Sequence, residues 1–311
     1  MTEKRLKVII LIGLAGIIGL ICFLMILDSI KQLIQEFCID TYRAKVEITP
    51  TQFGFPEYIP LEIQVEPNVL IKSWIIPSSK KNPLIILIPG YQGTRKTMLP
   101  FAQFLYQAGY STFLYDPRGQ GESGGDCICG NFLAQDLGTI ISQLKTSGYQ
   151  QFVLFGLSMG ATGAIVAGAE NNSDVLGVIA DSGFANLREG LRKSPLCEAK
   201  ILFDRPFLYF LLKYFGQIYL YNHFGRWVNP FRSTNALKVV DKVKNLFIIH
   251  AEDDLLIPVY NAKMLFEKAQ KTPGIKKLWI VKDSAHCENF DRHKEEYINK
   301  VLQFLEEIQR A

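Results

Sequence analysis

The longest uninterrupted hydrophobic stretch of the chain lies at residues 8–27, which read VIILIGLAGIIGLICFLMIL and include no charged residue. A helix of about 20 apolar residues is long enough to cross the hydrocarbon core of a bilayer. A surface helix of a water-soluble domain would carry a polar stripe, and this stretch has none. The pattern therefore predicts a membrane-spanning helix.

A cleaved signal peptide is the alternative interpretation of this stretch. The apolar core of a signal peptide is usually about 7–15 residues long and ends at a cleavage site of small residues. Here the stretch is longer and is followed by LDSIKQLIQEF, so an uncleaved anchor is the preferred prediction. Lys4, Arg5 and Lys7 precede it, and basic residues concentrate on the cytoplasmic side of membranes. We therefore expect a single-pass membrane protein whose main body lies on the non-cytoplasmic side.

Beyond the apolar stretch, extended and helical patterns alternate along the chain. Three extended segments between residues 46 and 76 are separated by Pro and Gly turns and predict an antiparallel edge. The strands that follow are short and almost wholly apolar, which is typical of a parallel sheet covered by helices on both faces. The pattern predicts strands at 84–88, 111–115, 151–155, 175–180, 246–250 and 277–281, and helices at 98–108, 131–147, 159–169 and 292–309.

One stretch, residues 185–242, breaks the alternation because connections between strands and helices are normally much shorter. It is rich in aromatic residues, and we predict that it forms a helical cap inserted over an active site. The predicted organisation is therefore an anchor and connector at 1–45 and an α/β domain at 46–311 that contains this cap.

Length and composition agree with this organisation. The chain has 311 residues, of which 48% are hydrophobic, and α/β domains often reach about 250 residues. The net charge of +4 is small, and no basic run is interleaved with aromatic residues, so nucleic-acid binding is not expected. Outside the apolar stretch, the cysteines are odd in number and lack the spacing of a disulfide framework or a zinc site.

The sharpest local motif is Gly156-Leu157-Ser158-Met159-Gly160, which lies between the strand QFVLF and a predicted helix. A serine on such a strand-to-helix turn is presented at the edge of the sheet, and glycine two residues away on either side avoids a collision. The N-terminus of the helix also favours negative charge that develops beside the serine. Ser158 is therefore the candidate nucleophile.

A serine at its ordinary pKa needs a base, and the base needs a group that orients it. His286 lies in the loop DSAHCENF between the last predicted strand and the last helix, at the edge where open α/β sheets bind ligands. His250 still belongs to a strand and is assigned a structural role, whereas His223 and His293 lie in the cap and on the last helix. His286 is therefore the candidate base.

The orienting acid is expected in the segment HAEDDLLIP, which follows the strand at 246–250. Asp254 stands four residues before Pro258 in a D-x-x-I-P arrangement and is the preferred candidate. Asp253 is the second candidate, and Asp181, at the end of the preceding strand, is the third.

The chain resembles the α/β-hydrolase superfamily from about residue 49 onward, because Ser158, Asp254 and His286 stand in the order of that fold and three further motifs match. These are IPGYQG at 88–93, similar to the oxyanion loop at a strand end, DPRGQGES at 116–123, similar to a D-x-R-G-x-G-x-S turn, and WIIP at 74–77, similar to an edge-strand signature. The most similar branches are serine aminopeptidases, dipeptidyl-peptidase catalytic domains and acyl-thioesterase- or acyltransferase-like enzymes.

The resemblance implies an α/β-hydrolase fold and a serine hydrolase, similar to esterases, lipases or peptidases, that forms an acyl-enzyme. The oxyanion donors are expected to be the backbone N–H groups of Met159 and Tyr91. Pro89 stands where the family usually has histidine, but backbone donors do not depend on that side chain. The expected partner is a small-molecule, lipid or peptide acyl substrate, and no metal or organic cofactor is expected.

Alternatives of other classes remain open at this point. The same triad could serve an acyltransferase, or the chain could be a catalytically silent binding protein at the membrane. The aromatic residues of the cap also have two interpretations: they pack the cap on the sheet, or they form an apolar acyl pocket that faces the membrane.

Overall fold

A computed structural model of the chain describes residues 3–34, 42, 45, 47–126, 130, 132–196, 201, 204–224 and 235–311. Most of the connector predicted after residue 34 lies outside these residues. So do four of the cysteines and two of the cap aromatics, namely Cys38, Cys127, Cys129, Cys197, Phe203 and Trp227.

The centre of the fold is one eight-stranded sheet. Its strands are β1 (Ile59–Glu66), β2 (Val69–Ile76), β3 (Lys80–Ile88), β4 (Tyr110–Tyr115), β5 (Phe152–Leu157), β6 (Val175–Asp181), β7 (Leu246–Ala251) and β8 (Lys276–Val281). Their order is β1-β2-β4-β3-β5-β6-β7-β8. The strands β1 and β2 form an antiparallel edge, and all neighbours from β4 to β8 run parallel. The predicted fold class is therefore confirmed.

Helices cover the sheet and precede it. They are α1 (Glu3–Ile34), α2 (Leu99–Gln107), α3 (Leu133–Thr146), α4 (Met159–Glu170), α5 (Leu187–Arg192), α6 (Pro206–Phe224), α7 (Ala236–Val239), α8 (Tyr260–Ala269), α9 (Asn289–Arg292) and α10 (Lys294–Arg310). Within α1, the segment Ile10–Gln32 is long and apolar enough to cross a membrane, and the side chains of residues 10–25 are exposed.

The apolar strands are buried because helices pack on both faces of the sheet. Side chains alternate between the two faces of a strand. In β3, Ile85 and Leu87 pack with α2 and α10 on one face, whereas Leu84 and Ile86 pack with α3 and α4 on the other. Neither face of the central strands is left for solvent, which explains why these strands are mostly apolar.

Two of the three extended segments predicted before residue 80 are the strands β1 and β2. The prediction was wrong for the first of the three, at 46–50, whose described residues form no strand. The backbone N–H of Phe53 donates to the carbonyls of Thr49 and Pro50, and Gln52 accepts from Thr49. Since proline cannot donate to a strand ladder, this segment closes into a turn.

The stretch predicted to form the cap contains α5, α6 and α7 among its described residues. Its two ends meet, because the N–H of Leu237 donates to the carbonyl of Ala185 at 2.7 Å. The long helix α6 packs against α1, with the rings of Phe23 and Phe215 at a centroid distance of 6.1 Å. The insertion therefore leaves and re-enters the fold at one place and contacts the apolar N-terminal helix.

Candidate active site

The carboxyl ends of the parallel strands bring the predicted site residues to one edge of the sheet. Ser158 directly follows β5, Asp254 lies three residues after the end of β7, and His286 lies five residues after the end of β8. These strands run in the same direction, so the loops after them meet at the same edge, where α/β sheets bind ligands.

Ser158 occupies a sharp turn with φ 52° and ψ −115°, a backbone conformation that residues other than glycine rarely adopt. The turn is tight because backbone from β3 and α4 crosses it closely. A Cβ atom on Gly156 would lie 2.3 Å from the carbonyl oxygen of Gly160, and one on Gly160 would lie 2.4 Å from that of Ile88. The two glycines of the motif are therefore required by the close approach of backbone atoms.

Replacing Gly160 with alanine is expected to lower the free energy of unfolding by about 1–3 kcal/mol, because the new methyl group would overlap backbone that cannot move aside. The matched control is Gly138→Ala in α3, where a Cβ atom would meet nothing closer than 3.7 Å. That change should raise stability by about 0.5–1 kcal/mol. Chemical unfolding in detergent measures both, and equal effects of the two changes would contradict the steric account.

His286 connects the serine to the acid. The hydroxyl of Ser158 donates to Nε2 of His286 across 2.9 Å, and Nδ1–H of His286 donates to Oδ2 of Asp254 across 2.6 Å. These hydrogen bonds require the neutral imidazole with its proton on Nδ1. Both ring nitrogens are therefore engaged in the arrangement of a nucleophile, a base and an orienting acid.

The carboxylate of Asp254 is buried and is held in place by hydrogen bonds. The carboxylate of Asp254 is fully buried, whereas the side chain of His286 is 19% exposed. The second carboxylate oxygen of Asp254, Oδ1, accepts hydrogen bonds from the backbone N–H groups of Leu256 at 3.0 Å and Ile257 at 2.7 Å. Backbone donors fix this carboxylate in the loop, so that it can orient the imidazole.

The other two candidate acids lie elsewhere. Asp253 is exposed to solvent. Asp181 is buried, and its oxygens accept from Ser182 at 2.9 Å, Asn289 at 2.6 Å and Tyr297 at 2.7 Å. Burial raises the pKa of Asp181, and these three donors oppose the rise. Because both ring nitrogens of His286 are already bonded, neither remains for Asp181.

This buried group of Asp181, Ser182, Asn289 and Tyr297 was not identified from the sequence. It ties the end of β6 to α9 and α10, which directly follow the loop of the base. The N–H of Cys287 also donates to the hydroxyl of Ser182 at 3.2 Å. The sequence DSAHCENF contains Asn289 but gives no sign that it reaches across to β6.

Cys287 directly follows the candidate base, His286. Its backbone is left-handed, with φ 61°, and the residue is half-buried. Burial raises the pKa of this thiol well above its ordinary value. A protonated thiol is a weak nucleophile, so Cys287 does not compete with Ser158.

His250 lies beneath the acid, in agreement with the structural role assigned to it. Its ring is fully buried, its Nε2–H donates to the carbonyl of Ile257 at 2.8 Å, and Nε2 is 3.5 Å from Oδ2 of Asp254. Burial lowers the pKa of His250, although the hydrogen bond and Asp254 oppose the shift. The ring therefore stays neutral and supports the turn that holds Asp254.

His250→Gln should remove a pH dependence of stability. Above about pH 6.5 the histidine is neutral in the folded and unfolded states; below it only the unfolded state readily takes up the proton. The parent protein therefore loses up to about 1.4 kcal/mol per pH unit from this residue as pH falls from 6.5 towards the folded-state pKa. The glutamine variant can keep the bond to Ile257 without titrating.

Unfolding free energies of the parent and the variant, measured in detergent between about pH 7.5 and pH 5, test this account. The stability difference between the two proteins should change in favour of the variant as pH falls. The remaining histidines are common to both and cancel. A difference that is independent of pH would contradict the account.

The loop predicted to supply an oxyanion donor lies directly against the serine. A Cβ atom on Gly90 would lie 3.3 Å from Cβ of Ser158. The next side chain, Tyr91, packs on an apolar cluster formed by Met159, Phe184 and Ile257. Ser158 is therefore surrounded by the end of β3, the first turn of α4 and this apolar cluster.

The D-x-R-G-x-G-x-S turn is held by buried ion pairs. Arg118 donates to both oxygens of Asp136 at 3.0 and 2.6 Å, and Arg95 binds Asp116 at 2.7 Å. Gly121 has φ 53°, and a Cβ atom there would lie 2.4 Å from Asp116. These contacts fix the shape of the turn, so its charged residues have a structural role.

Together, the mostly parallel sheet and the serine turn after β5 define an α/β-hydrolase. The family described as serine aminopeptidase, S33, matches residues 79–245, more than half of the chain. The chain belongs to this family and is a serine hydrolase.

Relatives of the chain include proteins of known and of unassigned activity. The protein YqkD of Bacillus subtilis is 28% identical over 245 residues, 76% of each chain. Among solved structures, the esterase Pf2001 of Pyrococcus furiosus is 26% identical with a TM-score of 0.68, over 88% of this chain and 98% of the esterase. The yeast membrane protein YNL320W is 28% identical over 145 residues, 45% of this chain and 50% of the yeast protein.

Proposed function

We propose that this protein is a membrane-anchored hydrolase that cleaves an acyl ester, thioester or amide through Ser158, His286 and Asp254. The observation that carries the proposal is the continuous pair of hydrogen bonds from Ser158 to His286 at 2.9 Å and from His286 to Asp254 at 2.6 Å. Similarity to the esterase Pf2001 favours an ester among the three substrate classes.

In the first half of the reaction, Oγ of Ser158 attacks the acyl carbonyl while Nε2 of His286 takes the hydroxyl proton. The imidazolium that forms is stabilised by the buried carboxylate of Asp254. His286 then gives its proton to the leaving group, which departs as an alcohol, thiol or amine. The product of this half is an acyl-enzyme on Ser158.

In the second half, water attacks the acyl-enzyme with His286 as base, and the acid product leaves. Both halves pass through a tetrahedral oxyanion. The proposed donors to it are the backbone N–H groups of Met159, at the N-terminus of α4, and Tyr91, in the loop that contacts Ser158. The apolar cluster beside them accommodates the acyl group and excludes water from it.

Membrane anchoring through α1 is the second part of the proposal. The same helix that carries the apolar stretch continues to Ile34, and the side chain of its Ile30 is buried. Phe23, within the apolar stretch, contacts Phe215 of α6. A cleaved signal peptide needs no such packing, so these contacts favour a retained anchor. The similarity to a yeast membrane protein agrees with this location.

The test is labelling of the detergent-solubilised protein with a fluorophosphonate probe, which phosphonylates activated serines. We expect the parent protein to label and Ser158→Ala to show no labelling. A screen of esters, thioesters and peptide amides then identifies the bond that is cleaved. A folded parent protein that never labels would contradict the proposal and favour the silent binding protein.

An acceptor competition distinguishes hydrolysis from acyl transfer. With a labelled ester substrate, alcohols, amines and thiols are added at increasing concentration. Hydrolysis predicts that free acid remains the main product. Acyl products that replace the free acid at low acceptor concentration would assign the same site to an acyltransferase.

A further inference from the structure

The cap helix α6 exposes one apolar face. Five residues, here called the aromatic face, follow each other at spacings of three and four and lie on one side of the helix: Phe207, Phe210, Tyr214, Ile218 and Tyr221. Phe207, Phe210 and Tyr214 are 68%, 59% and 56% exposed. This exposure shows that these three side chains do not pack the cap on the sheet, which was the first of the two interpretations of the cap aromatics.

The aromatic face belongs to a helix whose other side is fixed. Leu211, Leu212 and Leu220 are buried in the protein, with 7%, 5% and 0% exposure. The helix is therefore packed through these leucines, while the aromatic face is left exposed. Soluble proteins rarely expose so many large apolar side chains together unless a partner or a membrane covers them.

The position of α1 identifies what covers the aromatic face. Phe215 of α6 contacts Phe23 of α1, four residues before the uncharged stretch ends at Leu27. At a rise of about 1.5 Å per residue, this contact lies about 6 Å inside the end of that stretch. Interfacial helices bury their apolar faces about 5–10 Å into the boundary between headgroups and acyl chains. α6 therefore lies at that depth when α1 spans a bilayer.

Residue chemistry around the face fits an anionic lipid surface. Among the described residues of 185–224, five are Lys or Arg and only two are Asp or Glu. Basic residues near a membrane surface are attracted to acidic lipid headgroups. Tyr214 and Tyr221 also belong to the aromatic face, and tyrosine is enriched at the interface between acyl chains and headgroups.

We propose that the aromatic face of α6 inserts into the leaflet that surrounds the last turns of the apolar part of α1, as a second membrane contact. This proposal rests on the membrane anchoring proposed above. It also brings the membrane close to the site. Arg188 of α5 lies over the ring of Tyr209 of α6 at 4.7 Å, and Leu187 of α5 packs on the apolar cluster beside Ser158. The short helix α5 therefore lies between α6 and the apolar cluster beside Ser158.

The experiment places a tryptophan on the aromatic face of the full-length protein and measures its quenching by brominated acyl chains. The reporter is Phe210→Trp, with Tyr214→Trp as a second reporter on the same face. The proteins are reconstituted in vesicles of phosphatidylcholine and phosphatidylglycerol, with and without bromine on the acyl chains. The quenching of the unsubstituted protein, which has three tryptophans, is subtracted.

The matched control is Ile59→Trp, an apolar position that is also exposed, at 48%. Ile59 is the first residue of β1, and β1 runs in the same direction as the parallel strands. It therefore lies towards the amino-terminal edge of the sheet, away from the site and the cap. The quenching of both α6 reporters should exceed that of the control by about twofold or more, because only α6 reaches the acyl chains.

Flotation of the same vesicles separates this inference from the anchoring on which it rests. Protein that floats with the lipid and shows excess quenching at residues 210 and 214 supports the inference. Protein that floats, with quenching at those residues no greater than at residue 59, overturns the inference and leaves the anchor standing. Protein that does not float overturns both. Fluorophosphonate labelling is measured separately and reports only on Ser158.

Discussion

Replacing Ser158 with alanine should lower kcat by about 10⁶-fold, and adding His286→Ala to that variant should lower it no further. The reason is that the two side chains act through one shared proton. Ser158 donates its hydroxyl hydrogen to Nε2 of His286 across 2.9 Å, so each group is useless for attack without the other. Initial rates on the best ester from the substrate screen, for the parent, both single variants and the double variant, measure this effect.

Thermal unfolding is the control for this comparison. Thermal unfolding of each variant shows that the fold is intact, since Ser158 and His286 are only partly buried and their truncation leaves the core unchanged. A double variant that is slower than either single variant by the product of their separate losses would contradict the shared proton. The residual kcat of all three variants should be the same, because the proposed oxyanion donors and the apolar cluster remain.

Asp254→Asn should lower kcat by about 10⁴-fold while leaving substrate binding nearly unchanged. An asparagine amide in this place would face Nδ1 of His286 with N–H, which favours the tautomer that carries its proton on Nε2. That tautomer cannot accept the proton of Ser158. The backbone donors of Leu256 and Ile257 still find an oxygen in asparagine, so the loop should keep its shape.

The neighbouring residue provides the matched control for this prediction. Asp253→Asn makes the same chemical change on an exposed side chain one position away, and kcat should stay unchanged. A larger loss from Asp181→Asn than from Asp254→Asn would move the role of the acid to the end of β6. Steady-state kcat and KM for the three variants decide among the three acids considered from the sequence.

Much of this arrangement could be predicted from the sequence because it is local. The all-apolar segment 84–88 indicates a strand buried on both faces, and the glycines around Ser158 indicate a tight turn. Asp254 could be preferred over Asp253 because its spacing to Pro258 fits a turn, and in the structure Oδ1 of Asp254 accepts from two backbone N–H groups of that turn.

What could not be predicted depends on contacts between distant parts of the chain. Asp181 reaches Tyr297, 116 residues further along, and no local pattern marks such a pair. The aromatic residues of α6 were ambiguous for a different reason. A stripe of phenylalanine and tyrosine has the same spacing whether it packs in a core or lies in a membrane. Only the position of the helix beside α1 distinguishes these environments.

The distance along the chain between Ser158 and His286 has a consequence for how the enzyme matures. The two residues are 128 positions apart, and His286 follows β8, the last strand to be synthesised. Partly folded chains that lack this strand can contain a complete serine turn and still have no base. Reactivity towards the probe therefore arises only when the whole sheet has closed, so labelling reports the fraction of natively folded molecules.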